Sequence, residues 1–199
     1  MSNGVKRAVF VALASVVVVV VIYAMYGSGK TVSTAQQNTQ TQVDPATIQR
    51  IQSLENTIKT DPKDVKTLTE LGQLYFETGD VDKAQVAFKA ALELEPNNAA
   101  LHNGLGIAYF WTGKTQEAIA EYRKSMEIDP SSPEAYYFLA LTLSHSQPSD
   151  IPGAIENWEK VIKLAPDSQL AKQSQQYIDQ SRSSTSDRSS APPLAQTKP

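Results

Sequence analysis

Pro62, Pro96 and Pro130 stand 34 residues apart, and Pro166 follows Pro130 by 36. A fixed period near 34 residues leaves a chain of this length few architectures. It is the spacing of a helix–turn–helix solenoid, in which no unit buries its apolar face alone and stacked neighbours share one core. Proline ends a second helix at each beat, because it has no N–H to donate and drives the preceding residue away from the helical region.

Between the prolines, residue types recur in register. Leu71-Gly72 is matched by Leu105-Gly106 and by Leu139-Ala140, and Tyr75 by Tyr109 and Leu143. Gly79 is matched by Gly113, Ala84 by Ala118 and Ala154, and Phe88 by Tyr122 and Trp158. The small residues allow paired helices to approach, while the aromatics supply apolar area at the seams. Gly79 and Gly113 fall just past a first helix, where a left-handed cap is cheap only for glycine.

From Val65 to Ser168 this pattern resembles the tetratricopeptide repeat (TPR) family, whose signature runs W-x₂-L-G-x₂-Y…A-x₃-F…P. The resemblance implies an all-α, TPR-type α-solenoid with repeats at about 65–98, 99–132 and 133–168. Two departures stand out. The leading tryptophan of the first helix is replaced by Leu68, His102 and Tyr136. In the third repeat, Gln147 to Pro152 lengthens the turn that glycine tightens elsewhere, and Pro152 falls near the start of the next helix.

A helix is expected on either side. Asp44-Pro45 reads as an N-cap followed by a first-turn proline. Ile48, Ile51, Leu54 and Ile58 then share one face. At the other end, Leu170, Ala171, Ser174, Tyr177 and Ile178 form a single stripe on a closing cap over 169–182. The repeat domain as a whole is expected over 44–182.

The N-terminal part is of another kind. Ala8 to Tyr26 carries no charge and includes an unbroken run from Val16 to Val21. That length matches the roughly 30 Å core of a bilayer. The expected reading is a transmembrane helix over 8–26 behind a cytoplasmic stub, 1–7. Lys6 and Arg7 precede the span and only Lys30 follows it closely, which places the N-terminus inside and the repeats on the periplasmic or extracytoplasmic side of the cytoplasmic membrane. The rival reading is a cleaved signal peptide ending near Ser33-Thr34-Ala35. Against it, the apolar run exceeds the usual core, and that site lies well beyond the run's end. Residues 27–43, rich in Ser, Thr and Gln, read as a flexible tether, and residues 183–199 as a disordered tail.

Composition excludes several classes of function. All the acidic residues follow the span while Lys6 and Arg7 precede it, so the part beyond it is more acidic than the net −3 of the whole chain. That argues against nucleic acid, whose binders need a basic stripe. The chain has no cysteine, which removes disulfides, thiol chemistry and thiolate-held metals. No P-loop, nucleotide fingerprint or nucleophile elbow is present, and the two histidines, His102 and His145, lack acidic partners at ligand spacing. His102 reads as a packed ring and His145 as an exposed or capping one. No cofactor, metal or catalytic role is expected.

In the family, the first helix of each repeat lines a concave face that holds a partner's peptide or helix. Carried over by register, that face comprises Thr69, Gln73 and Phe76, with Lys66 and Glu77, from the first repeat. The second gives Asn103, Ile107, Phe110 and Trp111, with Ala100; the third gives Tyr137, Leu141 and His145, with Glu134 and Ser144. Trp111 is expected near the groove's centre, either as a binding anchor or as packing under the neighbouring turn. Relatives that grip a C-terminal carboxylate use lysine, arginine and asparagine at places held here by Thr69, Gln73, Asn103 and Ile107. Only Asn103 fits, so an apolar helix or extended segment is the expected ligand. The expectation is a non-enzymatic, membrane-tethered scaffold or assembly factor. The run from Ala154 to Val161 and the closing helix are similar to the anchored TPR factors of cytochrome c maturation. The alternative is a permanent structural subunit of a membrane or envelope complex.

Overall fold

The computed structural model describes residues 43–189, and the segments expected to form the membrane span and tether lie outside them, apart from Val43. Eight helices and no strands are found among the described residues. They are α1 (Pro45–Thr60), α2 (Val65–Glu77), α3 (Val81–Leu94), α4 (Ala99–Trp111), α5 (Thr115–Ile128), α6 (Pro133–His145), α7 (Ile151–Leu164) and α8 (Gln169–Ser189). Each packs chiefly on its chain neighbours, and α2, α4, α6 and α8 also meet in turn. The order is the expected one: a leading helix, three helix pairs and a closing helix.

The beat of prolines has a structural counterpart. Pro62, Pro96, Pro130 and Pro166 each follow a helix by one capping residue, namely Asp61, Glu95, Asp129 and Ala165. Within a pair the stop is different. Gly79 has φ +84° and Gly113 has φ +76°. Asp80 N–H donates to Tyr75 O and Gly79 N–H to Phe76 O, and the same pair of bonds recurs at Lys114 and Gly113. This is a Schellman closure, which satisfies two orphan carbonyls at once. The third pair has no glycine there. Its turn runs through exposed residues from Gln147 to Asp150, and Asp150 N–H returns to Leu143 O.

Side-chain caps begin several helices. Asp64 accepts from the N–H groups of Lys66 and Thr67 and from the Thr67 hydroxyl at 2.6 Å. The Thr67 bonds hold its carboxyl below the ordinary aspartate range. A carboxylate whose folded pKa is depressed stabilises the fold above its unfolded value of about 3.9, and that contribution is lost as pH falls through the folded value. Asp64→Asn should therefore flatten the acid limb of a stability–pH curve below about pH 4 while leaving the neutral plateau folded. Equilibrium unfolding followed by circular dichroism at stepped pH measures this.

The seams carry most of the burial. Tyr122 and Trp158 are fully enclosed, as are Ala84, Ala118 and Ala154, each one turn before the seam aromatic of its own helix. A Cβ added at Gly72 would lie 2.7 Å from the Phe88 ring, and one at Gly106 would lie 2.7 Å from the Tyr122 ring. Absence of a side chain at these two positions is what lets each ring lie across its own pair. Polar bonds then tie one pair to the next. Buried Gln85 on α3 donates to Ala108 O and Thr112 Oγ1 at the end of α4, and its Oε1 accepts from Lys114.

Where the family signature places a tryptophan, two of the repeats make a hydrogen bond. His102 Nε2 lies 2.9 Å from Pro96 O and Tyr136 OH lies 3.3 Å from Pro130 O, each reaching the carbonyl of the proline in the turn before its own helix. His102 is buried, as expected, and its Nδ1 meets Glu121 at 2.6 Å. Leu68, without a donor, is simply packed.

Two expectations need correction. Ile48 is 44% exposed, because it lies in the first turn of α1, ahead of the α2 contact that buries Leu54. The closing helix does not end at 182: α8 continues to Ser189. No glycine or proline interrupts 169–189, so helix propagation meets no stop there. Only 190–199 of the expected tail lies outside the described residues. Among the described residues no helix is long and apolar enough to cross a membrane.

Candidate partner-binding groove

The first helices α2, α4 and α6 line one concave groove, and the closing helix α8 contributes to it through Leu170, Gln173 and Tyr177. All ten positions expected on this face border it, nine at its surface and Tyr137 from behind: Thr69, Gln73, Phe76, Asn103, Ile107, Phe110, Trp111, Tyr137, Leu141 and His145. The repeat period explains why, since a step of 34 residues places one helix position beside its counterpart in the next pair. The groove encloses about 1680 Å³. Small-molecule sites run to roughly 300–1,000 Å³, so this space suits a chain segment better than a metabolite.

Position along the first helices sets chemistry. Near their starts the lining is polar: Lys66, Thr69 and Asn103. Thr69 turns its hydroxyl back to Val65 O at 2.7 Å. Asn103 differs, for its Oδ1 is buried without a partner. Half-buried Ile107 and Leu141 occupy the middle, with Gln73 exposed beside them. At the C-terminal ends lies a row of rings. Phe76 meets Trp111 at 6.1 Å and 71°, Trp111 meets Phe110 at 6.3 Å and 80°, and Phe110 meets His145 at 6.2 Å and 77°. These are edge-to-face contacts, the geometry that ring quadrupoles favour.

Trp111 is thus at the lip of the groove and not at its centre, because it is the last residue of α4. It is half-buried and packed through its neighbouring rings. His145 is exposed, with Nδ1 within 2.8 Å of Leu141 O and 3.0 Å of Ser144 Oγ, so it caps the end of α6 as well as finishing the row. Tyr137 needs a correction: it is 0% exposed. Its ring packs against Phe138 and Tyr177, and its hydroxyl lies 3.1 Å from Gln173 Oε1. The closing helix covers it, so it shapes the groove wall from behind. Burial raises its hydroxyl pKa far above the tyrosine norm.

Gln173 and Tyr177 were missed as lining residues. They sit four apart on one face of α8, and reading that face only as a cap hid its second role. Tyr177 stacks on Trp158 at 5.1 Å and 12°, which fixes the wall.

Electrostatics of the groove are lopsided. Glu70 is paired with Arg50 of α1 at 2.6 Å, and that bond holds its carboxyl below the ordinary range. Glu77 has no such partner. It is exposed at the lip, yet the protein around its carboxyl raises its pKa by desolvation.

Comparisons with known proteins agree with this geometry. No curated protein matches the chain. Among solved structures, a crystal structure of MamA is similar at TM-score 0.56 and 23% identity, covering 71% of this chain and 90% of that one. The first TPR of Spaghetti (RPAP3), bound to the HSP90 peptide SRMEEVD, is similar at TM-score 0.55 and 24% identity, over 62% of this chain and 96% of that one. The Arabidopsis OM64 TPR domain is similar at TM-score 0.54 and 19% identity, over 58% of this chain and 94% of that one. At such identities the likeness establishes the fold. A family profile described as tetratricopeptide repeat matches residues 69–133, the first two helix pairs almost entire. Over residues 69–133 the chain matches the tetratricopeptide repeat family, and the described helices as a whole share the fold of these solved structures.

Proposed function

We propose that this chain is a non-enzymatic scaffold or assembly factor that holds a segment of a partner protein in its concave groove. The observation that carries the reading is the row Phe76, Trp111, Phe110 and His145, which spans all three repeats beside half-buried Ile107 and Leu141. Half-exposed aromatics aligned across a groove are the residues from which interface anchors are built. A related fold supports it: the Spaghetti (RPAP3) domain was solved with a peptide bound. That peptide is acidic, whereas this groove offers Lys66 as the one lysine or arginine in its lining. Capture of a carboxylate tail is therefore not the proposed mode, and an apolar helix or extended segment is.

The finer reading adds a tether. With Ala8 to Tyr26 as a membrane helix and the repeats on the extracytoplasmic side, residues 27–43 would hold the groove within about 20–24 Å of the bilayer. Tethering raises effective concentration, so modest groove affinity suffices. Presentation of apocytochrome during cytochrome c maturation is the narrowest form of this reading. It rests on the likeness of the Ala154–Val161 run and closing helix alone.

Trp111→Ala tests the reading. Co-purification of the full chain should lose at least about tenfold in partner recovery, the loss expected of an anchor worth about 2 kcal/mol. Stability should fall by less than about 1.5 kcal/mol, since the ring is only half-buried. A large drop in melting temperature would mean that Trp111 is packing and would remove it as an anchor. Stoichiometric recovery with one complex in mild detergent would instead favour a permanent subunit.

A further inference from the structure

Groove charge selects the partner's chemistry. Besides the paired Glu70, the lining carries Glu77, Glu95, Asp129 and Glu134 against Lys66. Glu95, Asp129 and Glu134 accept from neutral neighbours, Asn98, Ser131 and Ser132 respectively. None of these three has a basic partner within ion-pair distance among the described residues. The Glu77 carboxylate makes neither a hydrogen bond nor an ion pair with any described residue. It follows Phe76 in the chain, and Phe76 touches Trp111, so one free carboxylate and two half-exposed rings share the same stretch of lip.

Given the groove reading above, on which this rests, we infer that the partner is a protein segment carrying an arginine beside apolar residues, its guanidinium seated between Glu77 and the rings of Phe76 and Trp111. A guanidinium stacks on aromatic faces and meets a carboxylate with two N–H groups, and it is less strongly hydrated than an ammonium. The apolar residues of the segment would then lie over Ile107 and Leu141, and the carboxylates at the opposite lip would favour the same cationic segment. Partial desolvation of Glu77, which raises its pKa, is a cost that an arriving cation offsets.

Labelled short peptides, capped at both ends, test this by anisotropy on the full-length protein. Three sets share their leucine and phenylalanine content and differ in carrying two arginines, two glutamines or two glutamates. The arginine set should bind about fivefold tighter than the glutamine set, and the glutamate set weakest. Glu77→Gln should abolish the preference for arginine while leaving the affinity of the glutamine set unchanged. Because Glu77 is exposed and unpartnered, that variant should fold as the parent does. Equal binding of the arginine and glutamine sets, or a preference that survives Glu77→Gln, would overturn the inference and leave the groove reading standing. Tightest binding by the glutamate set would overturn it likewise. If no set binds, both readings fall.

Discussion

Trp158→Ala is expected to destabilise the repeat domain by about 3–5 kcal/mol. Trp158 is 1% exposed and stacks on Tyr177 of the closing helix, so its removal opens a cavity between α7 and α8. Its indole N–H is buried without a partner, so no hydrogen bond is lost and the cost is packing alone. Against a usual total of about 5–15 kcal/mol, this is a large fraction. The damage should begin at one end. Hydrogen exchange should accelerate first in α8 and α7, because a solenoid unit is held by its nearest neighbours. Chemical denaturation measures the total and exchange mass spectrometry its distribution. Uniform acceleration across all eight helices would show that the array unfolds as one unit.

Gly106→Val should cost about 3 kcal/mol by the opposite mechanism. Its Cβ alone would meet the Tyr122 ring at 2.7 Å, and the ring has no room to retreat. Tyr122 is 0% exposed and stacks over Phe138 of the next pair at 6.3 Å and 16°. Replacing glycine inside a helix would by itself help, by less than about 1 kcal/mol, so the overpacking term decides the sign. Tyr122→Leu in the same chain should recover part of the loss, because a smaller side chain frees the space that valine needs. If the double variant is no more stable than the sum of the single ones, the clash is not the cause.

Both predictions come from positions visible in the repeat. Phe88, Tyr122 and Trp158 are one register position, and Gly72 and Gly106 another, so their meeting was readable from the period. The same holds for the left-handed stops at Gly79 and Gly113 and for the proline that follows each second helix. These features are local or periodic, which is why sequence carries them. Contacts that obey neither rule were invisible. Gln85 clasps the end of α4, and Tyr137 bonds to Gln173 across the last seam. Each depends on which side chains two helices bring together, and a repeat signature does not specify that. The groove shows both cases. Its floor followed from register, but the burial of Tyr137 and the place of Trp111 at the lip depend on how α8 closes the solenoid and on where α4 ends. The unpartnered state of Glu77 is of the second kind too, since it requires knowing that no cation lies nearby.

The central claim is that the concave face is where this chain holds its partner. A photoreactive residue placed at Trp111 in the full chain, and a second at Val86, compare that face with the outer one. Val86 is 68% exposed on α3 and does not line the groove. The prediction is a discrete crosslinked species from position 111, suppressed by the arginine peptide, and none from position 86. A partner captured from position 86 and not from 111 would contradict the account.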